Sequence, residues 1–339
     1  MSIPVSTLSA KDFASDQEVR WCPGCGDYAI LAVLKKVLAG LGVPREKIVF
    51  VSGVGCASRL PYYLQTYGFH TISGRAPTIA TGLKAARPEL SVWVVTGDGD
   101  GIGAGSNHLI HALRRNVDIK ILLFNNEVAG LSKGQYSPTT RIGTLTRSSP
   151  KGASETPIRP AALALAAEAT FVARTIDTDG EHLAKVLEAA ATHRGSAFVE
   201  ILQNCKIFND GVFEYATDKS MKADAALYLE HAKPLLYGKD RNRGLRLNGL
   251  DLEAVEHNGR IGDDVLIHDE NAARPTLAQL LAGLSWPDFP ECFGIFRRIS
   301  RPTFEDQFAH LTADGRGKQK LTVADLFKSD DTWKIEKAR

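Results

Sequence analysis

The chain has 339 residues, with 41 Lys and Arg against 39 Asp and Glu, a net charge of +2 and 44% hydrophobic residues. That balance supplies no field of one sign for nucleic acid or a membrane surface, and the length suits a large core of one or two domains. No apolar run approaches the ~20 residues that span a bilayer, and the opening MSIPVSTLSAKDFASDQEVR lacks the charged start and apolar block of a secretory signal, so a cytoplasmic protein is expected.

Residues 1–20 read as an extended N-terminal arm. DYAILAVLKKVLAGLGV has apolar residues at helical spacing and ends near Gly40 and Gly42, which suit a helix stop. KIVFVSGVG reads as a buried strand entering a glycine turn, APTIATGLKAARPE as a helix stopped near Pro88, and LSVWVVTGDGD as a second strand and turn. SNHLIHALRRN predicts a short helix and VDIKILLFNNE a third strand. A Ser-, Thr-, Gly- and Pro-rich loop covers about 132–160. Then PAALALAAEA, TFVARTID, GEHLAKVLEAAATHRG and SAFVEILQNC alternate helix and strand. Buried Val/Ile-rich strands alternating with helices predict a doubly wound α/β fold, a mostly parallel sheet with helices on both faces. Residues 21–210 form that domain, and 211–339 read as a more polar C-terminal extension, wrapping the core or a partner, with one clear helix in RPTLAQLLAGL.

VVTGDGDGIGAG (Val94–Gly105) has the layout of a phosphate-binding loop, yet Asp98 and Asp100 sit inside it. Gly99 to Ala104 matches the loose dinucleotide fingerprint. Two carboxylates would repel a pyrophosphate, however, and the next strand ends in Asn125-Asn126 where an acidic ribose ligand is expected. A divalent cation resolves the conflict. Mg²⁺ takes oxygen ligands from one or two side chains, phosphate and water, while the backbone N–H groups of the turn complete the cradle. The cysteines add a second feature. Cys22-x-x-Cys25 alone is ambiguous between zinc, a dithiol and an iron–sulfur cluster. Cys56 and Cys205 follow predicted strands, which puts them at the carboxyl edge of a parallel sheet together with Asp98. Cys292, among aromatic residues, reads as a buried core thiol.

Gly97-Asp98-Gly99, a gap of 25 residues and Asn125-Asn126 resemble the thiamine diphosphate–Mg²⁺ motif. WCPGCGDY, GVGCASR, GFHTISGRAPTIATGLKAARP, GDGDGIGAGSNHLIHALRRN, FNNEVAGLSKGQYSPTT and CKIFND together resemble the β subunit of 2-oxoacid:ferredoxin oxidoreductases over about residues 15–215. FPECFGIFR and RPTFE are similar to that family's C-terminal tail. The resemblance implies oxidative decarboxylation of a 2-oxoacid with coenzyme A, giving an acyl-CoA, CO₂ and reduced ferredoxin, reversibly. It implies Mg²⁺ on Asp98, Asn126 and the Val128 carbonyl, and one [4Fe–4S] cluster on Cys22, Cys25, Cys56 and Cys205. Gly55, Cys56, Ala57, Ser58, His70, Gly97, Gly99, Asp100, Ile102 and Gly130 are the further cofactor contacts it implies. Arg59 is a candidate for the substrate carboxylate, Lys133 for a distal carboxylate or coenzyme A, and Leu131 for the pocket wall.

One departure is visible: the family often has His-Gly-Arg where this chain has Ser73-Gly74-Arg75, a change for which His70 could compensate. Thiamine chemistry also needs a glutamate from a pyrimidine-binding domain, and no stretch here reads as one. An α subunit is therefore expected to carry it, in an αβ heterodimer or (αβ)₂ heterotetramer. The basic residues favour 2-oxoglutarate, converted to succinyl-CoA. Pyruvate or broad 2-oxoacid specificity, a non-redox thiamine enzyme with structural zinc and a nicotinamide dehydrogenase are the alternatives.

Overall fold

The computed structural model of the protein describes residues 8–257, 261–315, 322–328, Trp333 and Ile335; the first seven residues of the expected arm lie outside them. Eleven strands are formed among the described residues: β1 (Ile48–Ser52), β2 (Tyr67–His70), β3 (Ser91–Gly97), β4 (Lys120–Asn125), β5 (Phe171–Ile176), β6 (Ala197–Leu202), β7 (Ala226–Leu229), β8 (Leu236–Tyr237), β9 (Arg243–Asn248), β10 (Asp251–Glu256) and β11 (Glu291–Arg298). Eight of them make one sheet in the order β2-β1-β3-β4-β6-β5-β11-β7, and β10-β9-β8 make a small antiparallel sheet. Every pairing in the large sheet is parallel except β11 with β5. The doubly wound α/β fold expected from the sequence is the fold observed.

Alternation along the strands divides the core in two. Val49, Val51, Val92 and Val94 face one apolar cluster with helices Ala76–Ala86, Ser106–Arg114, Pro160–Ala166 and Thr276–Gly283. Ile48, Phe50, Trp93 and Val95 face the other, with helices Asp27–Gly40 and Gly180–Thr192. Burial on both faces is why these strands read as unbroken apolar runs. Cys292 is fully buried in the first cluster, as its aromatic setting suggested.

Residues 8–20 lie against the core. Phe13 is fully buried, and its carbonyl accepts from the N–H of Gln65. The segment beyond residue 211 supplies β7 and β11 to the large sheet. Arg174 on β5 pairs with Glu200 on β6 at 2.9 Å and with Glu291 on β11, so one buried guanidinium ties three strands together. The short β2 escaped sequence reading because all four of its side chains are exposed and no apolar pattern marks it. Among the described residues no helix is long and apolar enough to cross a membrane.

Candidate active site

Because β1, β3, β4 and β6 are adjacent and parallel, the segments that leave them emerge along one sheet edge. Those segments carry Cys56, Asp98, Asn126 and Cys205. Two cavities open there. The first, about 130 Å³, is lined by Gly55, Cys56, Ala57, Ser73, Gly97, Asp98, Gly99, Asp100, Asn126, Val128, Gly130 and Leu131, among others. The second, about 210 Å³, is lined by Cys22, Cys25, Cys56 and Cys205 together with Arg20, Trp21, Arg59, Lys133, Lys206, Ile207 and Phe208. Asp27, Cys56, Asn126, Gly130, Leu131 and Gln203 line both.

In the first cavity the two aspartates of the turn have separate roles. After β3 the chain enters a wide turn of π-helical geometry, Gly99–Ala104. Both oxygens of Asp100 are engaged: Oδ1 accepts from Ser73 Oγ (3.0 Å) and the Gly74 N–H (2.7 Å), and Oδ2 from Thr96 Oγ1 (2.6 Å). Asp100 therefore staples the 73–75 loop to the turn, and Ser73, at the family's frequent His position, is one of the staple's donors. Asp98 is also buried, but its side-chain donors all fall on one oxygen. Ser137 Oγ and Thr139 Oγ1 both donate to Oδ2 at 2.6 Å, no side chain donates to Oδ1, and no cation pairs with the carboxylate among the described residues. Burial pushes its carboxyl above the usual range, only partly offset by those hydrogen bonds. A buried, cation-less carboxylate beside a glycine turn is the donor set that Mg²⁺ and a diphosphate require.

Gly74 makes the stapled geometry possible. Its φ is +72°, and a Cβ there would stand 2.5 Å from the carbonyl carbon of Ala104. Gly74→Ala is expected to cost roughly 1–3 kcal/mol in backbone strain alone and more through the clash. Thermal unfolding should show a lowered Tm, and an unchanged Tm would mean that this close approach is not kept.

Three predicted contacts stand apart from the first cavity's wall. Ile102 is packed in the core. Ser58 is buried, and its Oγ has no hydrogen-bond partner. His70 stacks on Tyr62 with ring centroids 4.2 Å apart and shares a 2.9 Å hydrogen bond with Ser52 Oγ, while burial lowers its pKa.

In the second cavity the thiols are free rather than disulfide-bonded. Burial raises the pKa of Cys25 and Cys205 and pushes Cys56 up to about 11. Backbone N–H groups of Phe208, Ile207 and Asn209 nonetheless aim at Cys205 and stabilise its thiolate. Arg20, Arg59, Lys133 and Lys206 stand in the same wall as the four thiols and make that cavity electropositive. Among the described residues no three His, Cys, Asp or Glu side chains gather tightly enough to hold a single metal ion; the thiols instead ring a space. Arg59 Nη1 donates to the Arg20 carbonyl (3.0 Å). Lys133 is exposed in a loop with φ +66°.

Asp27 and Gln203 were missed by sequence reading. Asp27 is buried, with Oδ1 unpartnered and its carboxyl pushed up to about 7 by burial. Gln203 is 1% exposed, bonded to Asn126 and Cys25. Their one signal was a place two residues from a cysteine, in CPGCGD and LQNC.

Residues 53–201 match the family model described as thiamine pyrophosphate enzyme, C-terminal TPP binding domain. Over 330 residues the chain is 50% identical to the 2-oxoglutarate oxidoreductase subunit KorB of Mycobacterium tuberculosis, covering 96% of this chain and 88% of that one. The chain belongs to the 2-oxoacid:ferredoxin oxidoreductase β-subunit family. It is thus an oxidoreductase subunit carrying a thiamine diphosphate-binding domain. Another family member, the β subunit of 2-oxoacid:ferredoxin oxidoreductase 1 from Aeropyrum pernix, is 46% identical over 190 residues, 56% of this chain and 60% of its own length. The solved 2-oxoglutarate:ferredoxin oxidoreductase of Magnetococcus marinus, with 2-oxoglutarate, coenzyme A and succinyl-CoA bound, superposes with a TM-score of 0.76 at 30% identity, covering 95% of this chain and 96% of that one. A β subunit of such an enzyme works with an α partner.

Proposed function

We propose that this β subunit serves the oxidative decarboxylation of 2-oxoglutarate to succinyl-CoA and CO₂, with coenzyme A as acyl acceptor and ferredoxin as electron acceptor. The observation that carries the reading is the common wall of the two cavities, in which Asn126 and Cys56 each line both. A metal-bound diphosphate and an electron-accepting cluster so placed are neighbours, which electron transfer needs and a structural zinc does not. The substrate assignment is supported by relatives named for 2-oxoglutarate.

Asp98, Asn126 and the Val128 carbonyl hold Mg²⁺ in this reading, and the N–H groups of the 97–102 turn hold the diphosphate. Cys22, Cys25, Cys56 and Cys205 hold one [4Fe–4S] cluster. Bound thiamine diphosphate supplies the electron sink for decarboxylation. Residues 21–210 carry both cofactors, while the arm and the 211–339 extension brace them and meet partners. The pyrimidine-side glutamate comes from the α subunit, so the active site is completed at an interface of an αβ unit or (αβ)₂, in the cytoplasm.

Arg59 meets the carboxylate at the reacting end, and Lys133 a distal carboxylate. Lys133→Ala should then reduce kcat/KM for 2-oxoglutarate about tenfold more than for pyruvate, since a charge-assisted hydrogen bond contributes roughly 1.5–3 kcal/mol. Arg59→Ala should damage both substrates in similar proportion. Anaerobic assays of the complex with saturating coenzyme A measure this. Equal damage by Lys133→Ala would remove the lysine from substrate selection. The placement of both residues among the thiols favours a second role, balancing cluster charge.

A further inference from the structure

We propose that Gln203 is the positioning residue that joins the two cofactor sites, tuning the cluster through Cys25 while holding Asn126 in its metal-binding orientation. The inference rests on the cluster and Mg²⁺ assignments above. Gln203 follows β6 at the shared wall of the two cavities and is 1% exposed. Its Nε2 donates to the Asn204 carbonyl (2.6 Å) and to Cys25 Sγ (3.2 Å), and its Oε1 accepts from Asn126 Nδ2 (2.8 Å). These three bonds determine both amides. Nε2 faces two acceptors, so it must be the nitrogen, and Oε1 must then be the atom that meets a donor. Asn126 in turn commits its nitrogen to Gln203. Its Oδ1, which accepts from the Val128 N–H at 3.2 Å, is left as the oxygen that can serve a cation. Rotating the Asn126 amide would set two oxygens against each other.

The same side chain acts on the cluster by a separate route. A hydrogen bond to a ligating sulfur withdraws electron density and favours the reduced, more negative cluster, so it raises the reduction potential. Residues beyond the ligands that orient them typically change metal affinity by roughly 10–100-fold. Gln203 would therefore act on electron acceptance and metal retention together, without touching a reacting atom.

The test is an anaerobic redox titration of the whole complex, following the reduced cluster by electron paramagnetic resonance. In Gln203→Met, which keeps bulk but no donor, the ratio of reduced to oxidised cluster at a fixed ambient potential should fall about tenfold, equivalent to ~59 mV for a one-electron couple. Gln203→Glu should shift in the same direction and further, because it adds negative charge. Thiamine diphosphate with Mg²⁺ should be retained about tenfold more weakly in Gln203→Met, which cannot accept from Asn126, but not in Gln203→Glu, whose carboxylate still accepts from Asn126 Nδ2. An intact cluster at the wild-type potential in Gln203→Met overturns the proposal and leaves the cluster reading standing. A wild-type complex without iron and sulfide overturns the reading itself. If the variants shed the cluster, wild-type protein with isotope-labelled glutamine side-chain nitrogen decides the matter. A hyperfine coupling from that nitrogen to the reduced cluster is expected, and its absence refutes the Cys25 bond.

Discussion

Asp98→Ala is expected to weaken retention of thiamine diphosphate with Mg²⁺ by at least ~100-fold while the iron–sulfur cluster stays in place. The expectation follows from the division of labour in the turn. Asp100 cannot substitute as a ligand, because both its oxygens are held by Ser73, Gly74 and Thr96. Asp98 instead presents a buried carboxylate whose side-chain donors all fall on Oδ2 and which has no cationic partner among the described residues. Its removal also exposes the diphosphate to the nearby negative charge of Asp100, a repulsion that grows in a buried, low-dielectric site. Asp98→Asn should give an intermediate loss, since an amide oxygen can still reach the metal without charge. Calorimetric titration of cofactor and Mg²⁺ into the apo-complex measures both variants, with iron content as the control. Wild-type affinity in Asp98→Ala would place the metal ligand elsewhere.

Cys56→Ser is expected to empty the cluster site, from about four iron atoms per chain to almost none. A serine hydroxyl is a much poorer soft-metal ligand than a thiolate, and no spare cysteine stands in the cavity wall to replace it. The effect should spread to the neighbouring site, because Cys56 lines both cavities. Its carbonyl is already held by Trp21 Nε1 at 2.8 Å, so the backbone should survive the substitution. Cys292→Ser is the informative control. That thiol is fully buried among apolar residues, so the variant should keep its iron but lose roughly 1–3 kcal/mol of stability to an unpaired hydroxyl. Iron and sulfide analysis with thermal unfolding reads both. Iron retained in Cys56→Ser, or lost in Cys292→Ser, would redraw the ligand set.

The sequence by itself determined the doubly wound α/β class and the candidate ligands of both cofactors. Strands such as Ile48–Ser52 and Ser91–Gly97 are legible because burial on both faces makes them apolar throughout. Asp98 and Asn126 are legible because each leaves the end of such a strand, and a parallel sheet brings strand ends to one edge whatever the loops do. Only the tertiary structure decided the rest. It showed that Asp100 is a staple with both oxygens held while Asp98 takes its side-chain donors on Oδ2 alone, a difference set by Ser73, Gly74, Ser137 and Thr139, which lie 26–41 residues from the aspartates they bind. It put Arg59 and Lys133 among the thiols, and it joined β11 to β5 across a span of more than 100 residues. It also revealed Gln203 between Asn126 and Cys25, partners 77 and 178 residues away. The physical reason is the range of the interactions. Strand burial imprints a local pattern on consecutive residues, whereas a hydrogen bond or ion pair between distant segments depends on where the chain brings them and leaves no periodic trace.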